Sequence, residues 1–245
     1  MSSSISLTGE ENNVGPAVSE MTDWTAPAVY HLASAAAGGR LAKQQTRNVE
    51  TRMKFCSNCG NPVELRIPEG DDRNRFVCAG CATIHYQNPR VIVGSLPVYG
   101  EQVLLCRRAI EPRRNFWTLP AGFMENGETS LAGAQRETWE EARARLVDGS
   151  ASLYRVFDLP HINQVYLFYR GQLEGGAYGV GPESLETALF DERDIPWGEL
   201  AFPVIVETLQ EFFADRRRGD YPVRASGLDP ERFAWWRKQL AAPFE

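Results

Sequence analysis

The chain has 245 residues and a formal net charge of −6, with 26 basic and 32 acidic side chains. A net acidic chain is poorly suited to non-specific binding along a nucleic-acid backbone, although a small anionic substrate is compatible with bound metal ions. No apolar run approaches the roughly 20 residues that cross a bilayer. No Lys or Arg precedes Arg40, so neither an export signal nor a transit peptide is indicated. We therefore expect a cytoplasmic protein without membrane or nucleic-acid partners.

Residues 1–52 are dominated by Ser, Ala, Gly, Asn and Thr, and no helical or strand period persists there. Such a segment cannot bury enough apolar surface to offset the entropy of ordering. We therefore predict a disordered N-terminal tail over residues 1–52.

Four of the five cysteines fall into two Cys-x2-Cys pairs, Cys56 with Cys59 and Cys78 with Cys81. Two intervening residues allow both thiolates of a pair to reach one ion, and four thiolates match a closed, structural zinc site. The alternative, two disulfides, requires an oxidising compartment. Alternating apolar residues and a polar turn between the pairs predict a short hairpin. We predict a zinc ribbon over residues 53–86, whose folding free energy comes mainly from one bound zinc.

Residues 87–218 carry the patterns of a larger domain. We predict a helix from Ser130 to about residue 142, an amphipathic helix from Pro203 to Arg217, and a buried, non-catalytic role for the remaining cysteine, Cys106. Strands are predicted near residues 91–93, 102–105, 117–119, 153–157 and 165–169. This order predicts an α/β fold in which a mixed sheet is covered by helices.

Residues 219–245 are predicted to form a C-terminal helical extension. Asp229 suits a helix cap and Pro230 suits the first helical position. The helix would carry Phe233, Trp235 and Trp236, and three aromatic side chains there need cover from the same chain or from a second subunit.

The helix beginning at Ser130 carries Glu137, Glu140 and Glu141 on one face, because they stand at i, i+3 and i+4. Like charges at this spacing destabilise a helix by about 0.2–0.5 kcal/mol per pair, and the helix dipole disfavours anions near its C-terminus. A solvated acidic face is one interpretation. The other is a site for Mg²⁺ or Mn²⁺, because these ions prefer carboxylate oxygens and would remove the repulsion.

The surrounding residues decide between these interpretations. The spacing Gly122-x5-Glu128-x7-Arg136-Glu137-x2-Glu140-Glu141 resembles the Nudix box, and the upstream segment Trp117-Thr-Leu-Pro-Ala-Gly-Phe is similar to the strand that enters it. The region from Cys56 to about Arg217 is similar to zinc-ribbon Nudix hydrolases. It most resembles the FAD-hydrolysing enzymes of plant plastids and bacterial ADP-ribose pyrophosphatase-like relatives. Shared segments are Tyr86-Gln-Asn-Pro89 and Gly181-Pro-Glu-Ser-Leu-Glu186.

The resemblance implies a Nudix fold, a mixed sheet sandwiched between helices and preceded by the zinc ribbon. It also implies roles for the box. Glu137, Glu140 and Glu141, with the Gly122 carbonyl, would bind two or more Mg²⁺ or Mn²⁺ ions, and Glu141 would act as general base or bridging ligand. Glu128 and Arg136 would pair and hold the loop against the helix.

A second acidic pair lies downstream of the last predicted strand. The resemblance implies that Glu183 joins the metal site, with Glu186 in reserve. For either residue, a solvated loop carboxylate remains the alternative.

Other positions are candidates for substrate binding. Tyr86, Phe116 and Tyr166 could stack on adenine or flavin, although aromatic residues at such positions commonly belong to a core or strand. Arg113 and Arg114 could pair with phosphate oxygens, and an exposed basic turn is the alternative.

One position departs from the family pattern, which usually has Gly where this chain has Arg143. Because Arg in the left-handed region costs roughly 1 kcal/mol or more, we expect the helix to continue past this residue.

We therefore predict Mg²⁺- or Mn²⁺-dependent hydrolysis of the diphosphate bond in a nucleoside diphosphate linked to another group, of the FAD or ADP-ribose class. The first alternative is an NADH or NAD pyrophosphatase, although the Ser-Gln-Pro-Trp-Pro-Phe motif of NADH-cleaving relatives is absent. A non-catalytic nucleotide-sensing regulator with the ribbon as binding module, or an isomerase, is disfavoured by the complete set of box glutamates. The family resemblance and the aromatic residues near the C-terminus predict a homodimer.

Overall fold

The structure is a computed structural model that describes residues 53–228. The predicted tail over residues 1–52 and the predicted helix carrying Phe233, Trp235 and Trp236 lie outside the described residues. Both remain predictions, as do the domain boundaries.

The N-terminal part of the described chain is a small three-stranded antiparallel sheet, with β2 between β1 and β3. Its strands are β1 (Val63–Arg66), β2 (Arg75–Cys78) and β3 (Ile84–His85). The predicted hairpin is confirmed as β1 and β2. The third strand has only two residues, too few for an alternating pattern to reveal. Few apolar side chains are buried here, chiefly Phe76 and Val77, so the apolar core alone provides little stability.

The larger sheet is mixed, as predicted. Its strands are β4 (Arg90–Tyr99), β5 (Gln102–Arg108), β6 (Trp117–Thr118), β7 (Ala121–Phe123), β8 (Ser152–Leu159), β9 (Gln164–Gln172), β10 (Ser184–Phe190) and β11 (Arg224–Gly227). The order is β10-β5-β4-β9-β8-β11. The β4–β9 and β8–β11 pairs are parallel, and the other three pairs in this order are antiparallel.

Strands β4 and β5 separate a short distance from the turn that joins them. They pair only at Val98 with Val103 and at Tyr99 with Gln102. Beyond that point β6 pairs with β5, and β7 pairs with β4. The chain segment that carries β6 and β7 therefore lies between β4 and β5, and Gly122 lies on this segment, opposite Val93 of β4.

Two helices cover opposite faces of this sheet. Helix α1 (Ser130–Ala142) has Thr129 as its N-cap, and the Thr129 hydroxyl accepts a hydrogen bond from the Ala132 N–H at 3.1 Å. Gly133 of α1 lies against Val93 of β4. Helix α2 (Pro203–Arg218) packs with Leu96 of the same strand in the main core. Because Val93 and Leu96 are three apart in a strand, they point to opposite faces.

The expectation that α1 continues past Arg143 was wrong. The helix ends at Ala142, and Arg143 adopts the left-handed conformation with φ 48° and ψ 30°. The N–H groups of Gly179 and Gly181 donate to the carbonyls of Ala142 and Glu141, at 2.7 and 3.0 Å. This loop therefore occupies the end of the helix and satisfies carbonyls that another helical turn would have used.

Strand β10 was not predicted, and Glu186 is therefore not on a loop after the last strand. It lies on β10, which pairs with β5 at the edge of the sheet. Glu183 immediately precedes that strand.

Strand β11 was also not predicted, and it lies in the segment assigned to the helical extension. Its residues, Arg-Ala-Ser-Gly, have no alternating apolar pattern. Polar contacts hold it instead. Arg155 of β8 is 1% exposed and donates to Glu207 of α2 at 2.8 Å and to the Ser226 hydroxyl at 3.0 Å. Arg224 donates to Asp215 of α2.

Within residues 53–228, no helix has both the length and the apolar character needed to cross a membrane.

Candidate active site

Helix α1 and strand β7 bring carboxylates and backbone into direct contact. Glu137 and Glu141 are buried, with 8% and 6% of their surfaces exposed, whereas Glu140 is exposed. The Glu137 carboxylate lies so close to Gly122 that any Cβ at that position would overlap it. Glu141 Oε2 accepts a hydrogen bond from the Ala121 N–H at 3.3 Å. A side chain in place of the box glycine would therefore displace the Glu137 carboxylate from its position against β7.

Arg136 organises the loop between β7 and α1. Its guanidinium donates to both oxygens of Glu128, at 3.1 and 2.8 Å, and to the Phe123 carbonyl at 3.1 Å. It also donates to Glu137 at 2.7 Å and to Glu140 at 2.9 Å. The bonds from Arg136 lower the pKa of Glu128 to about 2. Arg136 thus ties the loop to the helix and is fully occupied by protein groups.

The two buried carboxylates resist ionisation. Burial raises the pKa of Glu137, and the negative charges of Glu140 and Glu183 add to this effect, while Arg136 opposes it. Burial raises the pKa of Glu141 to about 8, with further contributions from Glu137 and Glu183. Among residues 53–228, Glu141 has no ion-pair partner. A bound cation would offset this cost of burying negative charge.

The loop after Gly179 brings Glu183 near these carboxylates. Gly181 packs on the end of α1 so closely that a Cβ there would overlap the Glu140 carbonyl oxygen. The charge of Glu183 affects the pKa of both Glu137 and Glu141. Glu186 instead lies 3.5 Å from Arg107. The structure therefore brings Glu183, and not Glu186, into electrostatic range of Glu137 and Glu141. We call Glu137, Glu140, Glu141 and Glu183 the acidic cluster.

The four paired cysteines form a tighter group. Their sulfur atoms all lie within 4.8 Å of one another, with Cys56 to Cys81 at 3.7 Å and Cys59 to Cys78 at 3.4 Å. Four thiolates around one zinc, each at about 2.3 Å, would be separated by about 3.8 Å. All five cysteines are free thiols in the structure, and the arrangement of the four sulfur atoms favours the zinc site over two disulfides.

Backbone and side-chain donors surround these sulfur atoms. The Asn58 N–H lies 3.4 Å from Cys56 Sγ, and the Gly80 N–H lies 3.3 Å from Cys78 Sγ. His85 Nε2 is 3.2 Å from Cys56 Sγ. Such donors stabilise thiolates and fix their orientation.

Among the described residues, the four cysteines are the one group of three or more potential ligands whose donor atoms lie close enough together to hold one metal ion. The acidic cluster is more open, because Arg136 holds Glu137 and Glu140 through its own hydrogen bonds. Its donors are nevertheless carboxylate oxygens beside a backbone strand, the chemistry that Mg²⁺ and Mn²⁺ prefer.

The structure separates the predicted substrate-binding residues. Arg113 is not part of an exposed turn: it is 3% exposed, donates to the Ala201 carbonyl at 3.1 Å, and its guanidinium lies 3.8 Å from the Phe116 ring. Because Arg113 is buried and covers one face of the Phe116 ring, a substrate has little access to the guanidinium or to that face. Arg114, in the same loop, is exposed.

The other two aromatic candidates differ in setting. Tyr86 is exposed next to the ribbon, and the Arg75 guanidinium lies 5.0 Å from its ring. Tyr166 is half-buried on β9, stacked on Phe168 at 6.0 Å, and its hydroxyl donates to Gln164 Oε1 at 3.2 Å. Burial raises the pKa of Tyr166, and Arg108 and Arg90 oppose that shift.

Sequence reasoning missed Arg108. This residue ends β5, and its charge affects the pKa of both Glu141 and Tyr166. Strand alternation could have found it, because adjacent residues Arg107 and Arg108 must point to opposite faces of the sheet. The close contact of Gly181 with α1 was missed as well, because it joins segments distant in sequence.

The fold and these two sites define a class of protein. The family model described as NUDIX domain matches residues 88–203, and the zinc-ribbon model described as Nudix N-terminal matches residues 54–87. A solved structure of a NUDIX hydrolase from Nitrosomonas europaea is 52% identical, with a TM-score of 0.69, and the match covers 72% of this chain and 99% of that chain. The chain therefore belongs to the Nudix hydrolase family, and its N-terminal module is a zinc ribbon.

More distant relatives carry functional names. The chain is similar to the NAD-capped RNA hydrolase NudC of Chromobacterium violaceum, at 25% identity over 75% of this chain and 68% of that protein. It is similar to the corresponding Edwardsiella ictaluri protein at 29% identity, and spans only 50% of its length. It is also similar to the ADP-ribose pyrophosphatase of Methanocaldococcus jannaschii, at 29% identity over 48% of this chain and 69% of that protein.

Proposed function

We propose that this Nudix hydrolase cleaves the diphosphate bond of a nucleoside diphosphate linked to another group, with Mg²⁺ or Mn²⁺ as cofactor. The observation that carries the proposal is the buried pair Glu137 and Glu141, which has Gly122 and Ala121 against it and Glu183 within electrostatic range. Burial raises the pKa of both carboxyls and the charges of neighbouring carboxylates add to the shift, and such a site is suited to divalent cations.

The residues would divide the work as follows. Glu137, Glu140, Glu141 and Glu183, with the Gly122 carbonyl, would hold the cations. Glu128 and Arg136 keep the loop in place and do not touch the substrate. When bound, the cations screen the charge of the diphosphate and acidify a coordinated water. Glu141 would act as the proton acceptor or as the ligand that bridges the cations, because it is buried beside the backbone of β7.

The substrate class follows from the relatives only as a proposal. An ADP-ribose pyrophosphatase among them favours ADP-ribose, and the resemblance to plastid enzymes favours FAD. NADH or NAD is the second candidate, because several relatives are named NAD-capped RNA hydrolase. The missing Ser-Gln-Pro-Trp-Pro-Phe motif keeps this candidate behind the other two. A non-catalytic regulator is not favoured, because the chain retains every box glutamate.

A product screen tests the proposed function. The full chain would be incubated with FAD, ADP-ribose, NADH or NAD, each with Mg²⁺ or Mn²⁺, and the products identified by mass spectrometry. We expect AMP together with the phosphorylated second half of one substrate. In ¹⁸O-labelled water one phosphate gains the label, which distinguishes diphosphate hydrolysis from loss of a terminal group. Absence of such products from all four nucleotides with either metal would contradict the proposal.

We also propose that the ribbon holds one structural zinc through Cys56, Cys59, Cys78 and Cys81. The sulfur separations support it, and four thiolates leave no coordination position for chemistry. The zinc would therefore stabilise the ribbon and have no part in hydrolysis.

Assembly as a homodimer remains a proposal that rests on the family resemblance and on the aromatic residues near the C-terminus. Light scattering at micromolar concentration tests it. A mass near 27.5 kDa would contradict the dimer, because that is the mass of one chain.

A further inference from the structure

Two adjacent arginines at the end of β5 are anchored in the same way. Arg107 Nε donates to the Asn115 carbonyl at 3.0 Å, and Arg108 Nε donates to the Pro112 carbonyl at 2.9 Å. Both carbonyls belong to the loop between β5 and β6. Because the two side chains leave a strand in opposite directions, they present their terminal nitrogens to different surroundings.

Those surroundings differ in charge. Arg107 Nη1 lies 3.5 Å from the Glu186 carboxylate. Within residues 53–228, the terminal nitrogens of Arg108 have no hydrogen-bond or ion-pair partner. The Arg108 guanidinium lies 5.2 Å from the Phe202 ring, and its charge affects both Glu141 and Tyr166. Arg107 is thus neutralised by the protein, and Arg108 is not.

The backbone places Arg108 beside the acidic cluster. Ser184 is its partner in the register of β10 and β5, and the Ala109 N–H donates to the Glu183 carbonyl at 2.8 Å. Arg108 therefore adjoins the segment that carries Glu183. The other guanidinium near the cluster, that of Arg136, is already bonded to Glu128, Glu137 and Glu140.

We propose that Arg108 is a substrate-binding residue that holds the anionic oxygens of the nucleoside diphosphate beside the metal-binding carboxylates. The inference rests on the proposed function and adds a residue outside the Nudix box. A guanidinium presents a planar set of donors that matches phosphate oxygens. Its anchoring through Nε and its position beside Phe202 fix it before the substrate arrives, which lowers the entropy cost of binding.

Equilibrium binding tests this role separately from turnover. The probe is adenosine 5′-(α,β-methylene)diphosphate, which carries the adenosine diphosphate unit common to FAD, ADP-ribose and NADH but resists hydrolysis. Its dissociation constant would be measured calorimetrically with Mg²⁺ on the full chain and on Arg108→Gln, Arg108→Lys and Arg107→Gln. Arg107→Gln is the matched control, because it also loses one anchor to the same loop.

We expect Arg108→Gln to weaken binding by about tenfold or more, as for loss of a charge-assisted hydrogen bond, and Arg108→Lys to recover part of the loss. Arg107→Gln should stay within about twofold of wild type, because its ion pair is at the surface. Wild-type affinity in Arg108→Gln, or an equal loss of affinity in Arg107→Gln, would overturn the role of Arg108 and leave the proposed function standing. Failure of the wild-type chain to bind the probe or to hydrolyse any nucleotide in the product screen would instead contradict the proposed function.

Discussion

The zinc ribbon and the acidic cluster are two groups of potential metal ligands built on different plans. In the ribbon, four sulfur atoms lie within 4.8 Å of one another and take hydrogen bonds from nearby backbone N–H groups. In the acidic cluster, Arg136 holds Glu137 and Glu140, whereas Glu141 accepts, from the residues that the structure describes, a single backbone N–H bond. Within residues 53–228, the sulfur atoms are arranged as in a closed four-ligand site, whereas the carboxylates are gathered less closely. A closed site suits structure, and an open site suits chemistry.

The two sites also differ in how the chain assembles them. Each Cys-x2-Cys pair lies in one tight turn, and a single hairpin joins the two turns. The acidic cluster instead depends on three elements: helix α1, strand β7 before it, and the loop in which Gly181 packs against the end of the helix. Loss of a ligand should therefore have different consequences at the two sites, in stability at the ribbon and in turnover at the cluster.

The largest expected effect is at the ribbon. Cys78→Ser should reduce bound zinc from about one equivalent to almost none and unfold the ribbon, because zinc binding by such modules contributes roughly 10 kcal/mol. Elemental analysis and proteolysis of the purified chain measure both changes. Cys106→Ser is the control, since Cys106 is buried in the larger domain, and it should keep its zinc. Equal zinc in both variants would show that the quartet is not the zinc site.

At the acidic cluster, Glu141→Gln should reduce turnover by at least about 100-fold while the fold stays intact, the scale of losing a base or a metal position. Glu186→Gln is the matched control, because Glu186 is exposed and faces Arg107. Its turnover should stay within about twofold of wild type, as for a surface ion pair. Near-normal turnover of Glu141→Gln at saturating metal would exclude a required role for this carboxylate.

The pH dependence of stability should distinguish Glu141→Gln from wild type. The pKa of Glu141 is raised from 4.5 to about 8, so the folded chain holds this proton at pH values where the unfolded chain has lost it. The contribution of this carboxyl to stability is therefore fully present below pH 4.5 and is lost as the pH rises to about 8. Without added divalent cations, thermal melting of wild type should decline across this window more steeply than that of Glu141→Gln. Parallel profiles would contradict the raised pKa.

The smallest expected effect concerns the end of α1. Arg143→Gly should raise the free energy of unfolding by about 0.5–1 kcal/mol, because Gly adopts the left-handed conformation without a Cβ penalty. Arg145→Gly is the control. The guanidinium groups of Arg143 and Arg145 lie 5.5 and 4.5 Å from the Trp139 ring, but Arg145 has no positive φ. It should not stabilise the chain. Denaturant unfolding measures both, and stabilisation by Arg145→Gly alone would contradict the account.

The sequence predicted what depends on short spacing. The cysteine pairs, the helix carrying Glu137, Glu140 and Glu141, and the mixed sheet all follow from local periodicity or motif spacing. It did not predict β10 or β11, and the latter has no apolar alternation and is held by Arg155 and Arg224. Nor did local rules predict the left-handed Arg143, because the loop from Gly179 ends that helix through contacts between distant segments.

Selective metal replacement tests the central claim, that a closed zinc site and an open divalent-cation site serve different purposes. The full chain would be passed over a chelating resin, its zinc content measured, and turnover of the identified nucleotide followed as Mg²⁺ or Mn²⁺ is added. The account predicts about one zinc per chain throughout, no turnover before addition, and turnover that rises with the added cation. Full turnover with zinc alone, or none after addition of either cation, would contradict it.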